Sequence, residues 1–172
     1  MTEVAAALRR TAEAVVQRYT AQKCTFGTAE SLTAGLIAAT LAEVPGASLV
    51  LMGGVVSYDP RVKRELLHVS QATIDGPGVV SEPCARQMAD GARQALRVDV
   101  AVSATGVAGP GGGTSETPVG TVFLGCASQN GTVVVRKQFA GDRQAVREQT
   151  VLFALHLALQ ALPEDAPTRT AE

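Results

Sequence analysis

Two short segments of the chain carry side chains that could act as a nucleophile and a base. Ser31 lies in AESLTAG, residues 29–35, and Lys63 closes SYDPRVK, residues 57–63. Each segment stands where an apolar run is expected to end and a helix to begin. In α/β proteins such junctions meet at the carboxyl edge of the sheet, where ligands bind. A serine beside a neutral amine at that edge could attack a carbonyl carbon.

Both segments also have purely structural interpretations. Ser31 or Thr33 could simply cap the following helix, because serine and threonine are common N-caps. Lys63 could be a solvent-exposed residue in the first turns of its helix. The chain has 3 lysines among its 15 basic residues. A lysine kept among so many arginines hints at a need for a neutral amine, because guanidinium does not lose its proton, and on this segment alone both interpretations stay open.

A glycine-rich segment, TGVAGPGGGTSETPVG at 105–120, is the third candidate site and holds 6 of the 17 glycines. Its backbone N–H groups could approach a phosphate. The spacing matches neither GxGxxG nor GxxxxGK[ST], so no dinucleotide or P-loop site is predicted. A flexible surface loop is the other interpretation, although long structureless stretches in compact domains are uncommon unless functional. Arg143, near the start of the last predicted helix, could hold a phosphate or carboxylate, or lie exposed on that helix.

Composition narrows the classes of protein. The 172 residues, 46% of them hydrophobic, predict a single folded domain over 1–162, with a disordered tail over 163–172. A net charge of -1 and 3% aromatic residues disfavour nucleic-acid binding. No uncharged apolar run reaches the roughly 18 residues of a membrane span. Charged residues near the N-terminus argue against a signal peptide, so we expect a cytoplasmic protein.

The histidines and cysteines predict no metal site and no cofactor. The three cysteines are far apart and form no CxxC pair, and the two histidines have no partner at ligand spacing. His156 lies within an apolar helical pattern, which predicts a packed core residue.

Helices alternating with apolar strands predict an α/β fold, and Asn130-Gly131 predicts a hairpin that makes the sheet mixed. Strand 48–58 is apolar nearly throughout, which is typical of a strand buried on both faces. The predicted helices are 3–21, 33–43, one beginning at Asp59-Pro60, 81–97 and 142–162. The other predicted strands are 24–28, 98–104, 119–128 and 132–139.

Taken together, six segments resemble one known family, the CinA C-terminal domain family of nicotinamide-nucleotide amidohydrolases. They are TAESLTAGL (28–36), VPG (44–46), GGVVSYDPRVKRELLHV (53–69), VSEPCARQMADGAR (80–93), TGVAGPGGGTSETPVGTV (105–122) and GDR (141–143). The resemblance covers residues 4 to 160. It implies a three-layer α/β/α sandwich with a mixed, mostly parallel sheet, and self-association into a homo-oligomer. It also implies deamidation of nicotinamide mononucleotide to nicotinate mononucleotide and ammonia, in pyridine nucleotide salvage.

Matched position by position, the resemblance implies a serine–lysine mechanism. Ser31 would be the nucleophile and Lys63 the base, with the Tyr58 hydroxyl as a possible proton relay. The candidate substrate-binding residues are Glu30 (facing the pyridinium), Thr33, Thr105 (near the oxyanion), Gly106, Gly109, Gly111 and Gly112 (with the phosphate), and Arg143 (on the phosphate).

Two departures from the family pattern retain these reacting groups. AESCTGG reads AESLTAG here, and YSN reads Tyr58-Asp59-Pro60, which could shift affinity or substrate choice. The alternative function is a non-catalytic nucleotide-binding or regulatory module, because family members are linked by name to competence and DNA damage. A related amidase acting on another carboxamide nucleotide is the second alternative.

Overall fold

The computed structural model describes residues 3–162. Five strands are found in this range: β1 (Phe26–Glu30), β2 (Leu51–Val56), β3 (Val100–Gly106), β4 (Thr121–Ser128) and β5 (Gly131–Gln138). Its α-helices are α1 (Glu3–Ala21), α2 (Leu36–Ala42), α3 (Pro60–Leu67), α4 (Gln71–Asp75), α5 (Glu82–Leu96) and α6 (Arg143–Ala161), and a short 3₁₀ helix spans Ala47–Leu49. The tail predicted over 163–172 lies outside the described residues.

The strands form one mixed sheet in the order β2-β1-β3-β4-β5. Strand β1 pairs in parallel with β2 and with β3. The β3–β4 and β4–β5 pairs are antiparallel, and the predicted Asn130-Gly131 turn joins β4 to β5. The carboxyl ends of β1, β2 and β3 therefore lie at the same edge of the sheet.

Helices cover both faces of this sheet, which confirms the predicted three-layer α/β/α sandwich. Side chains alternate along β3, so Val100, Val102 and Ala104 face a core shared with α1, α2 and α6. Ala101 points the opposite way, into a second core shared with α3 and α5. Within the described residues, no helix is long and apolar enough to cross a membrane.

Three local expectations are wrong. Strand β2 is not buried on both faces, because it is the edge strand, and its residues alternate between half-buried and exposed. Helix α2 begins at Leu36 rather than 33, since Ala34 and Gly35 have positive φ values of 51° and 94° and form a turn. His156 is exposed rather than packed in the core.

Helix α3, which carries Lys63, is held closely against α5. Its start follows the sequence prediction: the Asp59 carboxylate accepts from the N–H of Arg61 at 2.7 Å, and Pro60 opens the helix. Its end lies against Gly91 of α5, where an added Cβ would stand 2.0 Å from the carbonyl oxygen of Leu67. Only glycine permits this close approach of α3 to α5.

Candidate active site

The ends of three neighbouring strands bring the candidate residues together. In the sheet register Glu30 is paired with Val56 on one side and with Ala104 on the other. The N–H of Ser31 donates to the carbonyl of Ala104 at 2.9 Å, and the N–H of Ser57 donates to the carbonyl of Glu30 at 2.8 Å. The first residues beyond β1 and β2 are thus fixed side by side at the carboxyl edge.

Lys63 reaches Ser31 across this edge. Its Nζ lies 3.1 Å from Ser31 Oγ and also donates to the carbonyl oxygen of Ser57. Lys63 is 1% exposed, whereas Ser31 is only half-buried. The amine is therefore enclosed by protein, while the serine that it contacts is partly exposed.

The surroundings of Lys63 favour its neutral form. Burial lowers the pKa of the ammonium group below the ordinary 10.5, and the nearby Cys84 and Asp59 oppose this shift only in part. A lysine with a lowered pKa is a better proton acceptor at neutral pH than a solvated lysine.

Two backbone amides in the turn after Ser31 have no acceptor in the part of the chain that the structure describes. They are the N–H groups of Leu32 and Thr33, and both residues are buried. The other amides from 31 to 38 donate to Ala104 O, Ser31 O, Thr33 O or the Glu30 carboxylate. Buried N–H groups normally have a partner. Two adjacent free ones beside a hydroxyl make a suitable place for a negatively charged oxygen.

The Glu30 carboxylate serves helix α2 rather than the open part of the site. Its oxygens accept from the N–H groups of Gly35, Ile37 and Ala38, each at 3.0 Å, and the residue is 1% exposed. This buried carboxylate occupies the positive end of the helix dipole. Its placement differs from the expected position facing a pyridinium ring.

The threonines of the site are buried, and their hydroxyls differ in their contacts. Thr105 Oγ1 donates to the carbonyl of Val79 at 2.6 Å, so its proton is already used in a bond within the protein. Thr33 Oγ1 has no partner among the described residues.

The glycines of the loop after β3 have different environments. An added Cβ at Gly106 would lie 2.5 Å from the carbonyl oxygen of Thr121, so this glycine permits strand packing. Gly109 is buried, and its carbonyl accepts from Arg143 Nη1 at 3.0 Å. Gly111 and Gly112 are exposed. No contact places these two beside Ser31.

Arg143 joins the glycine-rich loop to Tyr58. Its Nη2 donates to the Tyr58 hydroxyl at 2.9 Å, while its Nη1 holds Gly109. Tyr58 is 57% exposed, and its hydroxyl contacts the guanidinium rather than Lys63. Because Lys63 bonds directly to Ser31, proton transfer between the two does not require Tyr58.

Arg147 is a site residue that the sequence prediction missed. It lies one helical turn after Arg143, and residues four apart share a helix face, which is the signal that could have found it. Arg147 donates to the carbonyls of Leu32 and Thr33 at 3.0 and 2.9 Å. A cleft of about 370 Å³ beside it is lined by Leu36, Arg143, Gln144, Arg147 and Glu148.

This arrangement brings together groups that acyl transfer by a serine uses. The hydroxyl of a half-buried serine contacts a buried amine, two free amides follow the serine, and two arginines line a nearby cleft. Glu30 and Thr105 support the backbone around it.

Comparison with known proteins places the chain in a family. Residues 8–162 match the model of the CinA C-terminal domain. The chain is 50% identical over 140 residues to a CinA-like protein of Mycobacterium marinum, a match covering 81% of this chain and 33% of that protein. It is 47% identical over 133 residues to the nicotinamide-nucleotide amidohydrolase PncC of Enterobacter agglomerans, covering 77% of this chain and 81% of that one.

Solved structures agree with this relationship. The competence/damage inducible protein CihA of Agrobacterium tumefaciens superposes with a TM-score of 0.88 at 37% identity, over 90% of this chain and 95% of that one. A CinA superfamily protein of Escherichia coli gives 0.87 at 32% identity, over 93% and 92%. The chain spans about a third of the length of several curated CinA-like relatives that it matches. Its sequence and fold show that it belongs to the CinA C-terminal domain family.

Proposed function

We propose that the chain is an amidase that hydrolyses nicotinamide mononucleotide to nicotinate mononucleotide and ammonia. The observation that carries the proposal is the 3.1 Å contact between the Nζ of buried Lys63 and the Oγ of Ser31, a residue that is partly exposed. The 47% identity to a protein named nicotinamide-nucleotide amidohydrolase supports the choice of substrate.

In the first half of the reaction, Ser31 Oγ attacks the carboxamide carbon and Lys63 Nζ takes the hydroxyl proton. The carbonyl oxygen becomes an oxyanion, which the free N–H groups of Leu32 and Thr33 stabilise. Lys63 then gives the proton to the departing nitrogen. The C–N bond breaks, ammonia leaves, and an ester to Ser31 remains.

In the second half, water replaces ammonia. Neutral Lys63 removes a proton from the water, and the resulting oxygen nucleophile attacks the ester carbon. Collapse of this second tetrahedral intermediate breaks the bond to Ser31 Oγ, which recovers its proton from Lys63. The products are a carboxylic acid and a regenerated enzyme.

Arg143 is the proposed ligand for the 5′-phosphate, together with the adjoining cleft. A guanidinium can hold a phosphate through two N–H donors, and Arg143 is exposed and near the Tyr58 end of the site. The positively charged pyridinium of the substrate would favour neutral Lys63 further, because a nearby positive charge lowers the pKa of an amine.

The test is the formation of ammonia and nicotinate mononucleotide from nicotinamide mononucleotide, measured with purified protein and a chelator, with Ser31→Ala beside it. Turnover by the wild type alone supports a serine amidase that needs no added metal. Binding without turnover by the wild type favours the non-catalytic nucleotide-binding module. Other carboxamide nucleotides in the same assay test the related-amidase alternative.

A further inference from the structure

The guanidinium of Arg147 reaches from helix α6 to the turn that follows Ser31. Its Nε donates to the carbonyl of Leu32 and its Nη2 to the carbonyl of Thr33, at 3.0 and 2.9 Å. Arg147 itself is half-buried. Two donors on one rigid planar group hold two acceptors in a defined relative orientation. The turn is thereby attached to α6 at two successive peptide groups.

One of these peptide groups carries a free amide of the site. The carbonyl of Leu32 and the N–H of Thr33 belong to the same planar unit. A donor that fixes the oxygen also fixes the direction of the N–H. The positively charged guanidinium beside that oxygen also polarises the peptide, which makes the N–H a stronger donor. Arg147 thus acts on the Thr33 amide without touching it.

We propose that Arg147 is a positioning residue of the oxyanion site. It orients and polarises the Leu32–Thr33 peptide, so that the Thr33 N–H donates to the oxyanion formed when Ser31 attacks a carboxamide. This inference rests on the proposed amidase function. It adds to that function the residue that orients and polarises one of the two N–H donors of the oxyanion site.

A competing role for Arg147 follows from its place beside the cleft. Arg147 and Arg143 both line the cleft of about 370 Å³, so Arg147 could instead bind the substrate phosphate directly. The two roles affect different kinetic constants. Loss of a ground-state phosphate contact raises KM, whereas loss of a donor that acts in the transition state lowers kcat.

The kinetic test compares Arg147→Lys and Arg147→Met with Arg9→Met, which removes an exposed arginine that contacts only Glu13 on its own helix among the described residues. Arg147→Met should lower kcat about 10- to 100-fold with KM within about threefold of the wild type. Arg147→Lys should recover part of kcat, because an ammonium can hold one of the two carbonyls. Arg9→Met should leave both constants unchanged. An unchanged kcat, or a rise in KM alone, overturns the proposal.

A second measurement needs no substrate and separates this inference from the proposed function. The Thr33 amide should change its NMR chemical shift and exchange faster with solvent in Arg147→Met, relative to the same amide in Arg9→Met. An unchanged Thr33 amide in a folded variant overturns the positioning role. If the wild type has no amidase turnover, the proposed function fails. A changed Thr33 amide would then make Arg147 a structural clamp only, which also overturns its positioning role in an oxyanion site.

Discussion

Lys63 Nζ lies 3.1 Å from Ser31 Oγ, although the two residues are 32 positions apart in the chain. The hydroxyl follows β1 and the amine extends from the first turns of α3. The carbonyl of Ser57, directly after β2, accepts from the same amine. The parallel pairing of β1 and β2 and the close packing of α3 on α5 together create this contact.

Substitution of Lys63, the proposed base, should lower turnover strongly even when positive charge is kept. Lys63→Arg and Lys63→Met should each lower kcat by about 10²–10⁴-fold, because neither side chain can accept the serine proton. Lys137→Arg, a substitution on β5, is the matched control and should keep its rate. Product formation by steady-state assay measures this, and near-normal kcat in Lys63→Arg would falsify the role of Lys63 as a base.

Activity should rise with pH as Lys63 loses its proton. Burial lowers the pKa of Lys63 below 10.5, so the free enzyme gains its neutral base at a pH below that of an exposed lysine. The logarithm of kcat/KM should therefore increase with unit slope and level off before pH 10.5. A profile that keeps rising past that value, or stays flat across the acid side, contradicts a neutral Lys63.

The lowered pKa of Lys63 should also make the folded protein more stable as the pH rises. Because the folded protein prefers neutral Lys63, the charged form opposes folding at every pH below the folded-state pKa. This penalty decreases between the folded-state pKa and 10.5, where the unfolded chain alone binds the proton. Chemical denaturation at several pH values should show Lys63 favouring folding more as pH rises through that window, relative to Lys63→Met. A difference in unfolding free energy between wild type and Lys63→Met that does not change with pH would contradict a lowered pKa of Lys63.

Loss of the Glu30 charge should weaken the fold around the site. Glu30→Gln replaces an acceptor of three amide hydrogen bonds with a group that accepts through one oxygen. The free energy of unfolding should fall by about 1.5–3 kcal/mol, the range for hydrogen bonds to charged groups. Thermal or urea unfolding measures it. A variant with wild-type stability and a raised KM would instead assign Glu30 to the substrate.

The Tyr58 hydroxyl should be dispensable for chemistry, whereas Arg143 should matter for binding. Tyr58→Phe removes the acceptor for Arg143 Nη2 but leaves the bond from Lys63 to Ser31 intact, so kcat should stay within about threefold of the wild type. Arg143→Met should raise KM about 10- to 100-fold through loss of a charge-assisted phosphate contact. A large fall in kcat for Tyr58→Phe would instead support Tyr58 as a proton relay.

A methyl group between α3 and α5 should disturb the position of Lys63. Gly91→Ala places a Cβ 2.0 Å from the Leu67 carbonyl oxygen, and overpacking of this kind costs about 1–3 kcal/mol. Gly111→Ala is the control, because no atom beyond its two chain neighbours lies within 4 Å of its added Cβ. Unfolding curves should separate the two variants, with a lower kcat for Gly91→Ala. Equal stability of the two would show that α3 can move away at little cost.

The sequence alone determined the parts of this protein that depend on local chemistry. Asp59-Pro60, Ser81 and Asp142 mark helix starts because their side chains or rings suit those positions, and Asn130-Gly131 marks a tight hairpin. The segment around Ser31 and the one ending at Lys63 stood out because hydroxyl and amine groups at strand ends can do chemistry. These signals act over a few residues, so they can be recognised without a structure.

The tertiary structure decided everything that depends on which elements become neighbours. The residue pattern could not show that β2 is an edge strand, because an apolar strand can have the same sequence pattern at the edge and in the centre of a sheet. It also could not show that the Glu30 carboxylate caps α2, or that Arg147 crosses to the turn after Ser31. These contacts join chain segments through sheet order and helix packing, which arise from the fold as a whole rather than from any local sequence.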